Sequence, residues 1–122
     1  MTSPRHVAAE RRGRRAEFAA RWRLRLAGWR IVAADLRLPA GQVDIVARRG
    51  RILAFVEVKA RRTADDAAES LHPAQRLRIA RAAEQFLAAR PQFAAFDVRF
   101  DMVLVVPGRW PRHLQDAWRD SR

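Results

Sequence analysis

The chain has no cysteine, only three histidines and a single lysine. It also has no apolar run approaching the length of a membrane span. The missing cysteines exclude disulfide scaffolds, thiolate nucleophiles and cysteine-based zinc sites, and three scattered histidines argue against a histidine-rich metal centre. Any metal would therefore be held by oxygen. Arginine interrupts the N-terminal stretch every few residues, so there is no apolar region of the kind a secretory signal needs. Glu10, Glu17 and the lack of a serine bias argue against an organellar transit peptide. The expectation is a cytoplasmic protein with no membrane association.

The shortage of lysine is the most informative of these gaps. Of 25 Lys plus Arg residues only Lys59 is lysine, which leaves 24 arginines. Together with heavy alanine use, this indicates a pressure that replaces lysine wherever arginine serves equally. An ammonium is a compact charge with a tunable pKa, whereas a guanidinium is a planar fork that stays charged. The one lysine kept therefore points to chemistry at position 59. The net charge of +12 suits a polyanionic partner, with nucleic acid, DNA first, expected ahead of an anionic membrane surface. At 122 residues and 49% hydrophobic composition the chain fits one domain over residues 9–122, preceded by a basic flexible arm over residues 1–8.

Along the chain, Phe18, Trp22 and Leu26 recur at four-residue steps before Gly28, which predicts an amphipathic helix over residues 9–27 with these three on its buried stripe. Glu17 lies along the edge of that stripe, where it either reaches into a site or pairs with Arg21. A strand over 29–35 and a turn over 36–41 follow. In the next strand, 42–47, Val43, Ile45 and Ala47 take one face and Gln42, Asp44 and Val46 the other. Arg48-Arg49-Gly50-Arg51 reads as a tight basic turn that folds strand 52–60 back as a hairpin. A turn centred near Arg49 and Gly50 sets Asp44 against Phe55 or Leu53, with Glu57 on the diagonal. Asp65, Asp66 and Glu69 mark an acidic loop. A helix then runs from Pro73 to about residue 90 with Leu77, Ala80, Ala83 and Leu87 on its stripe, followed by a strand over 96–106. A short terminal helix carries Trp110 and Trp118, which are read as caps on the core ahead of the alternative that they stack bases. The order α-β-β-β-α-β plus that helix is an α/β layered fold around a mixed sheet of about four strands.

The stretch 52–62 carries the chemistry. Phe55, Glu57 and Lys59 share one strand face while Val56 and Val58 take the other. Ionised groups beside a core are costly unless paired or ligated, so their presence marks a site. Asp44 and Glu57 together can hold Mg²⁺ while leaving positions for water and a phosphate oxygen. Such an ion polarises a phosphoryl group and lowers the pKa of its water, and Lys59 can orient or deprotonate that water. These are the components of phosphodiester hydrolysis. Arg61 on the same face, with Arg62, the turn residues Arg48 and Arg49, and Arg76, are candidate phosphate contacts.

The same residues carry a resemblance to a known family. Gly13 with Ala16-Glu17 looks like its first-helix signature, residues 41–47 like its Gly-Glu-Ile-Asp-Leu-Ile-Ala strand, and residues 55–61 like its Phe-Val-Glu-Val-Lys-Thr-Arg strand. Arg99-Phe100-Asp101 resembles its late Arg-Phe-Asp. The chain resembles the YraN-type bacterial proteins, uncharacterised members of the PD-(D/E)XK, restriction-endonuclease-like nuclease superfamily, and is similar to archaeal Holliday-junction resolvases. The resemblance implies a restriction-endonuclease-like core and Mg²⁺, with Mn²⁺ as a substitute, held by Asp44 and Glu57. It also implies catalysis by Lys59, Glu17 as an extra acidic residue at the site in place of its salt bridge, and a homodimer acting on structured or branched DNA. Gln42 stands where the family has Glu and Gln75 where it has a helical Lys, which still leaves Gln75 able to position a phosphate or water. The alternatives are a nucleic-acid-binding protein of nuclease fold with weak or no catalysis, and an interaction module of a nucleic-acid-processing complex.

Overall fold

In a computed structural model of the chain, residues 4–62 and 73–119 are described, with side chains from residue 13 onward. The acidic loop with Asp65, Asp66 and Glu69 lies outside them, as do residues 1–3. Helix α1 (Pro4–Leu26) starts at Pro4 and so takes in most of the segment read as an arm. It buries Ala16, Ala20 and Leu24, whereas Phe18, Trp22 and Leu26 are 57%, 48% and 66% exposed. The expected stripe is therefore on the wrong face. Ala20 and Leu24 pack on Ile45, Ala47, Ala54 and Val56, and short side chains let the helix lie close against the strands. Alanine contributes little to a pattern weighted by side-chain size, so the large residues misdirect it. The helix closes as a Schellman motif, with Trp29 N–H on the Leu24 carbonyl, Gly28 N–H on that of Arg25, and φ of 90° at Gly28.

Five strands follow in chain order across one sheet: β1 (Arg30–Leu38), β2 (Gly41–Arg49), β3 (Ile52–Ala60), β4 (Asp97–Val105) and β5 (Arg112–Trp118). All neighbours are antiparallel except β3 and β4, which the helix α2 (Pro73–Ala88) connects in parallel. The helices cover opposite faces, since Leu53 and Phe55 pack under α2 while Ala54 and Val56 pack under α1. This is an α/β fold consistent with a restriction-endonuclease-like core. Among the described residues no helix is long and apolar enough to cross a membrane.

Three local details place the site. The β2–β3 hairpin pairs Arg49 with Ile52, so its loop is Gly50-Arg51, and Gly50 has the positive φ of 59° that a glycine-first two-residue loop uses. That centre is one residue later than expected. The ladder ends with Ile45 opposite Val56, so Asp44 and Glu57 both lie one residue beyond its last pair. Helix α2 buries Ile79, Ala80, Ala82, Ala83 and Phe86 while Leu77 faces outward, a stripe rotated from the expected one. Its seat on the β1–β2 turn is tight. Gln85 Oε1 accepts the Ala40 N–H at 3.0 Å, and a Cβ on Gly41 would come within 3.3 Å of Arg78 Cβ.

The expected terminal helix is a strand. Pro111 cannot donate into a helix, and β5 pairs with β4 so that Trp118 stacks on Phe100 at 5.4 Å. Trp118 caps the core as expected, whereas Trp110 stands exposed.

Candidate active site

At Asp44 the strand alternation breaks. Val43 joins Val46 in the cluster under α2, although parity had placed it with Ile45 and Ala47 under α1. The β2–β3 pairs end at Ile45, and the Val58 N–H donates to Asp44 Oδ2 at 2.8 Å, so a side chain takes the place of a backbone partner. On the other side β1 pairs Ala34 with Ile45 and Leu36 with Val43, and Asp35 between them adopts φ of 50°. Both strands flanking Asp44 thus depart from regular geometry at the same level. A cleft of about 1150 Å³ opens there, bounded by α1, β3 and the β4–β5 connection.

Glu57 and Lys59 reach this cleft from β3. Lys59 Nζ lies 3.5 Å from Glu57 Oε1, and Gln75 of α2 bridges the two, its Nε2 donating to Glu57 Oε1 at 2.9 Å and its Oε1 3.5 Å from Lys59 Nζ. Burial pushes the Glu57 carboxyl up to about 8, aided by the facing Asp44 and opposed by Lys59. Asp44 is raised as well, by burial first, against the pull of the Val58 N–H and its hydrogen bond with Glu57. Both carboxyls are thus raised, with burial the first cause in each, and the charge of Asp44 adds to the rise at Glu57.

Glu17 of α1 lines the same cleft. Its carboxyl is raised by burial and then by the negative charges of Asp44 and Asp35, with Arg21 a smaller opposing influence. It therefore faces the carboxylates, where the resemblance implied. Asp35 is the residue that sequence reasoning missed. Gln42 donates to Asp35 Oδ1 at 2.6 Å, so a carboxylate stands beside the glutamine. Nothing in the sequence pattern predicts the φ of 50° at Asp35, though aspartate is among the residues that tolerate it.

The basic candidates separate into two groups. Arg61 and Arg62 line the cleft together with Arg15 and Arg109, and Gln75 and Arg76 sit in the first turn of α2. Arg48 and Arg49 are not brought to it. They lie at the hairpin end of β2, with Arg49 roughly 17 Å along the strand from Asp44. There Arg48 covers Phe96, and Arg49 covers Trp29 while donating to the Ala27 carbonyl.

Asp101, the acid of the late Arg-Phe-Asp, lies fully buried and outside the residues that line the cleft. Arg99 grips both its oxygens at 2.9 Å, His113 Nε2 lies 2.7 Å from Oδ2, and the Asp116 N–H donates to Oδ1 at 2.9 Å. Burial alone would raise this carboxyl, but the bonds from His113, Arg99 and Asp116 bring it below the ordinary range. It ties β5 to β4.

Among the described residues no three acidic or histidine side chains converge closely enough to cage a cation unaided. The Asp44 and Glu57 pair nevertheless fits magnesium, which is commonly held by one or two carboxylates and keeps water or phosphate in its other positions. The Val58 N–H binds Asp44 Oδ2 and the Gln75 amide binds Glu57 Oε1.

The profile of a family described as an uncharacterised protein family, UPF0102, matches residues 16–105. A UPF0102 protein of Parvibaculum lavamentivorans is 58% identical over 113 residues, covering 93% of this chain and 85% of the relative. One of Paramagnetospirillum magneticum is 60% identical over 119 residues, with 93% and 92% covered. A third, from Sphingopyxis alaskensis, is 52% identical over 115 residues, with 93% and 97% covered.

Proposed function

We propose that this chain, which belongs to the uncharacterised protein family UPF0102, is a metal-dependent nuclease that hydrolyses phosphodiester bonds in structured or branched DNA. The observation that carries this reading is that Asp44 and Glu57 come together in one cleft at the end of the β2–β3 ladder, with the chain's only lysine 3.5 Å from Glu57. Asp44 and Glu57 would hold Mg²⁺ or Mn²⁺, which when bound neutralises phosphate charge and makes its water more acidic.

The other groups position and screen. Lys59 places an ammonium donor on the cleft wall, where it orients water at the scissile phosphate. Gln75 keeps Lys59 and Glu57 in one geometry through its two ends. Arg15, Arg61 and Arg62 along the same cleft neutralise neighbouring backbone phosphates and fix the register of the strand. Such an activity suits a cytoplasmic protein and, by the symmetry of branched DNA, a homodimer.

The test is incubation of the full chain with labelled duplex, single-stranded and four-way-junction DNA in Mg²⁺, Mn²⁺ or EDTA. Cleavage that needs metal and disappears in Asp44→Ala and Lys59→Ala is the expected result. A second reading, nucleic-acid binding without catalysis, draws on Gln75 standing where the family has Lys. Equal binding by all three proteins with no cutting in either metal would establish it.

A further inference from the structure

We infer that the β4–β5 connection carries a nucleobase-stacking subsite, in which an unpaired base of a single-stranded or branched nucleic acid lies on Trp110. The inference extends the proposed function by naming what the substrate must offer beside the scissile phosphate.

The connection, residues 106–111, is built to hold its shape. Pro107 fixes its own φ, Gly108 takes φ of 75°, and the Arg109 N–H closes the turn on the Val106 carbonyl at 3.1 Å. Proline followed by a left-handed glycine is the pattern of a type II turn. Pro111 stiffens the far side, and Arg23 of α1 donates Nε to its carbonyl at 3.0 Å. The Arg23 guanidinium also lies 5.8 Å from the Trp110 ring centre.

So braced, the indole is still 66% exposed. Trp29 and Trp118, by contrast, are buried in the core. An aromatic ring held in place yet left in water has lost its ordering entropy before binding, which favours a flat partner.

The surroundings define that partner. Trp110 borders a cleft of about 320 Å³ whose charged lining residues are Arg23, Arg109 and Arg112, while Leu104 and Pro111 supply apolar wall. A ligand there is anionic and has an apolar face, as a nucleotide does. Val106, Arg109 and Pro111 line both this cleft and the one holding Asp44 and Glu57, so the two run into each other. A strand lying across the carboxyl pair continues past Trp110. Bases inside a duplex are already stacked on their neighbours, so only an unpaired base can use the indole.

Fluorescence anisotropy of end-labelled oligonucleotides with the full chain, in EDTA and at fixed salt, tests this without any cleavage. Trp110→Ala should weaken binding of a single strand and of a flapped duplex by roughly 5- to 100-fold, and leave a blunt duplex unchanged. Trp110→Phe should keep most of the affinity. Trp22→Ala, which removes an exposed indole of α1 outside both clefts, should change nothing. Absence of single-strand binding by the wild type, no loss in Trp110→Ala, or an equal loss on single strand and blunt duplex would overturn the subsite. So would a change of oligomeric state in Trp110→Ala by sedimentation, which would assign the indole to a contact with a second copy. If the wild type never cuts DNA but the Trp110 effect holds, the subsite stands and the nuclease reading falls.

Discussion

Asp101 and Glu57 lie on adjacent parallel strands one register step apart, both buried, and the protein treats them in opposite ways. Asp101 receives two bonds from Arg99, one from His113 and one from a backbone N–H, and its carboxyl sits below the usual range. Glu57 receives Gln75, a more distant Lys59 and a second carboxyl, and is pushed up to about 8. Burial is common to both, so the number of donors decides the charge state. A carboxylate whose donors are complete has nothing further to bind and acts as a brace. A carboxyl pair left short of positive charge is prepared to take some.

Breaking the brace should give the largest effect. Asp101→Ala leaves the Arg99 guanidinium without its bidentate partner and frees β5, and should destabilise the fold by about 3–5 kcal/mol in urea titration. A loss under about 1 kcal/mol would show that the four bonds do not carry β5.

The pH dependence should run in opposite directions at the two places. A carboxyl raised in the folded state favours folding fully below its unfolded value of 4.5, and that contribution is lost as pH rises through about 8. In EDTA, thermal stability should therefore fall across the window from 4.5 to about 8, and Mg²⁺ should restore much of it at the upper end. Glu57→Gln should flatten this limb. Asp101 is lowered, so its contribution is present above 3.8 and lost only as pH falls below that, and Asp101→Asn should lower stability at neutral pH and flatten the acid limb. Melting curves that respond alike to both substitutions would contradict the contrast.

Smaller effects sharpen it. Gln75→Ala removes the bridge between Glu57 and Lys59 and should lower the cleavage rate about tenfold while moving stability by less than about 1 kcal/mol. Asp35→Asn removes a negative charge near Asp44 and should weaken Mg²⁺ binding about two- to fivefold by calorimetry, with little change in melting temperature.

Much of this contrast was legible in the residues themselves. Period-two alternation put Glu57 and Lys59 on one face, and Gly50 marked the hairpin that carries Asp44 to them. The register was misjudged because a basic turn of four residues does not reveal which two form the loop, and a shift of one in its centre moves the pairing by two. The face of α1 was misread because alanine's value is close approach, which hydrophobicity does not measure. Charge patterns alone do not show that Arg48 and Arg49 lie over aromatic rings at the hairpin end, away from the cleft. Asp35 escaped notice because its role depends on a backbone conformation that no periodicity encodes.

The two left-handed aspartates have one more consequence. Asp35 lies in β1 and Asp116 in β5, the outermost strands, with φ of 50° and 51°. Each bends its strand and places a charge where an added strand would have to pair. The sheet is thus closed to extension at both ends, as natural edge strands are when they are protected from aggregation. Two copies of this chain that associate would therefore meet through surfaces other than the sheet's rims.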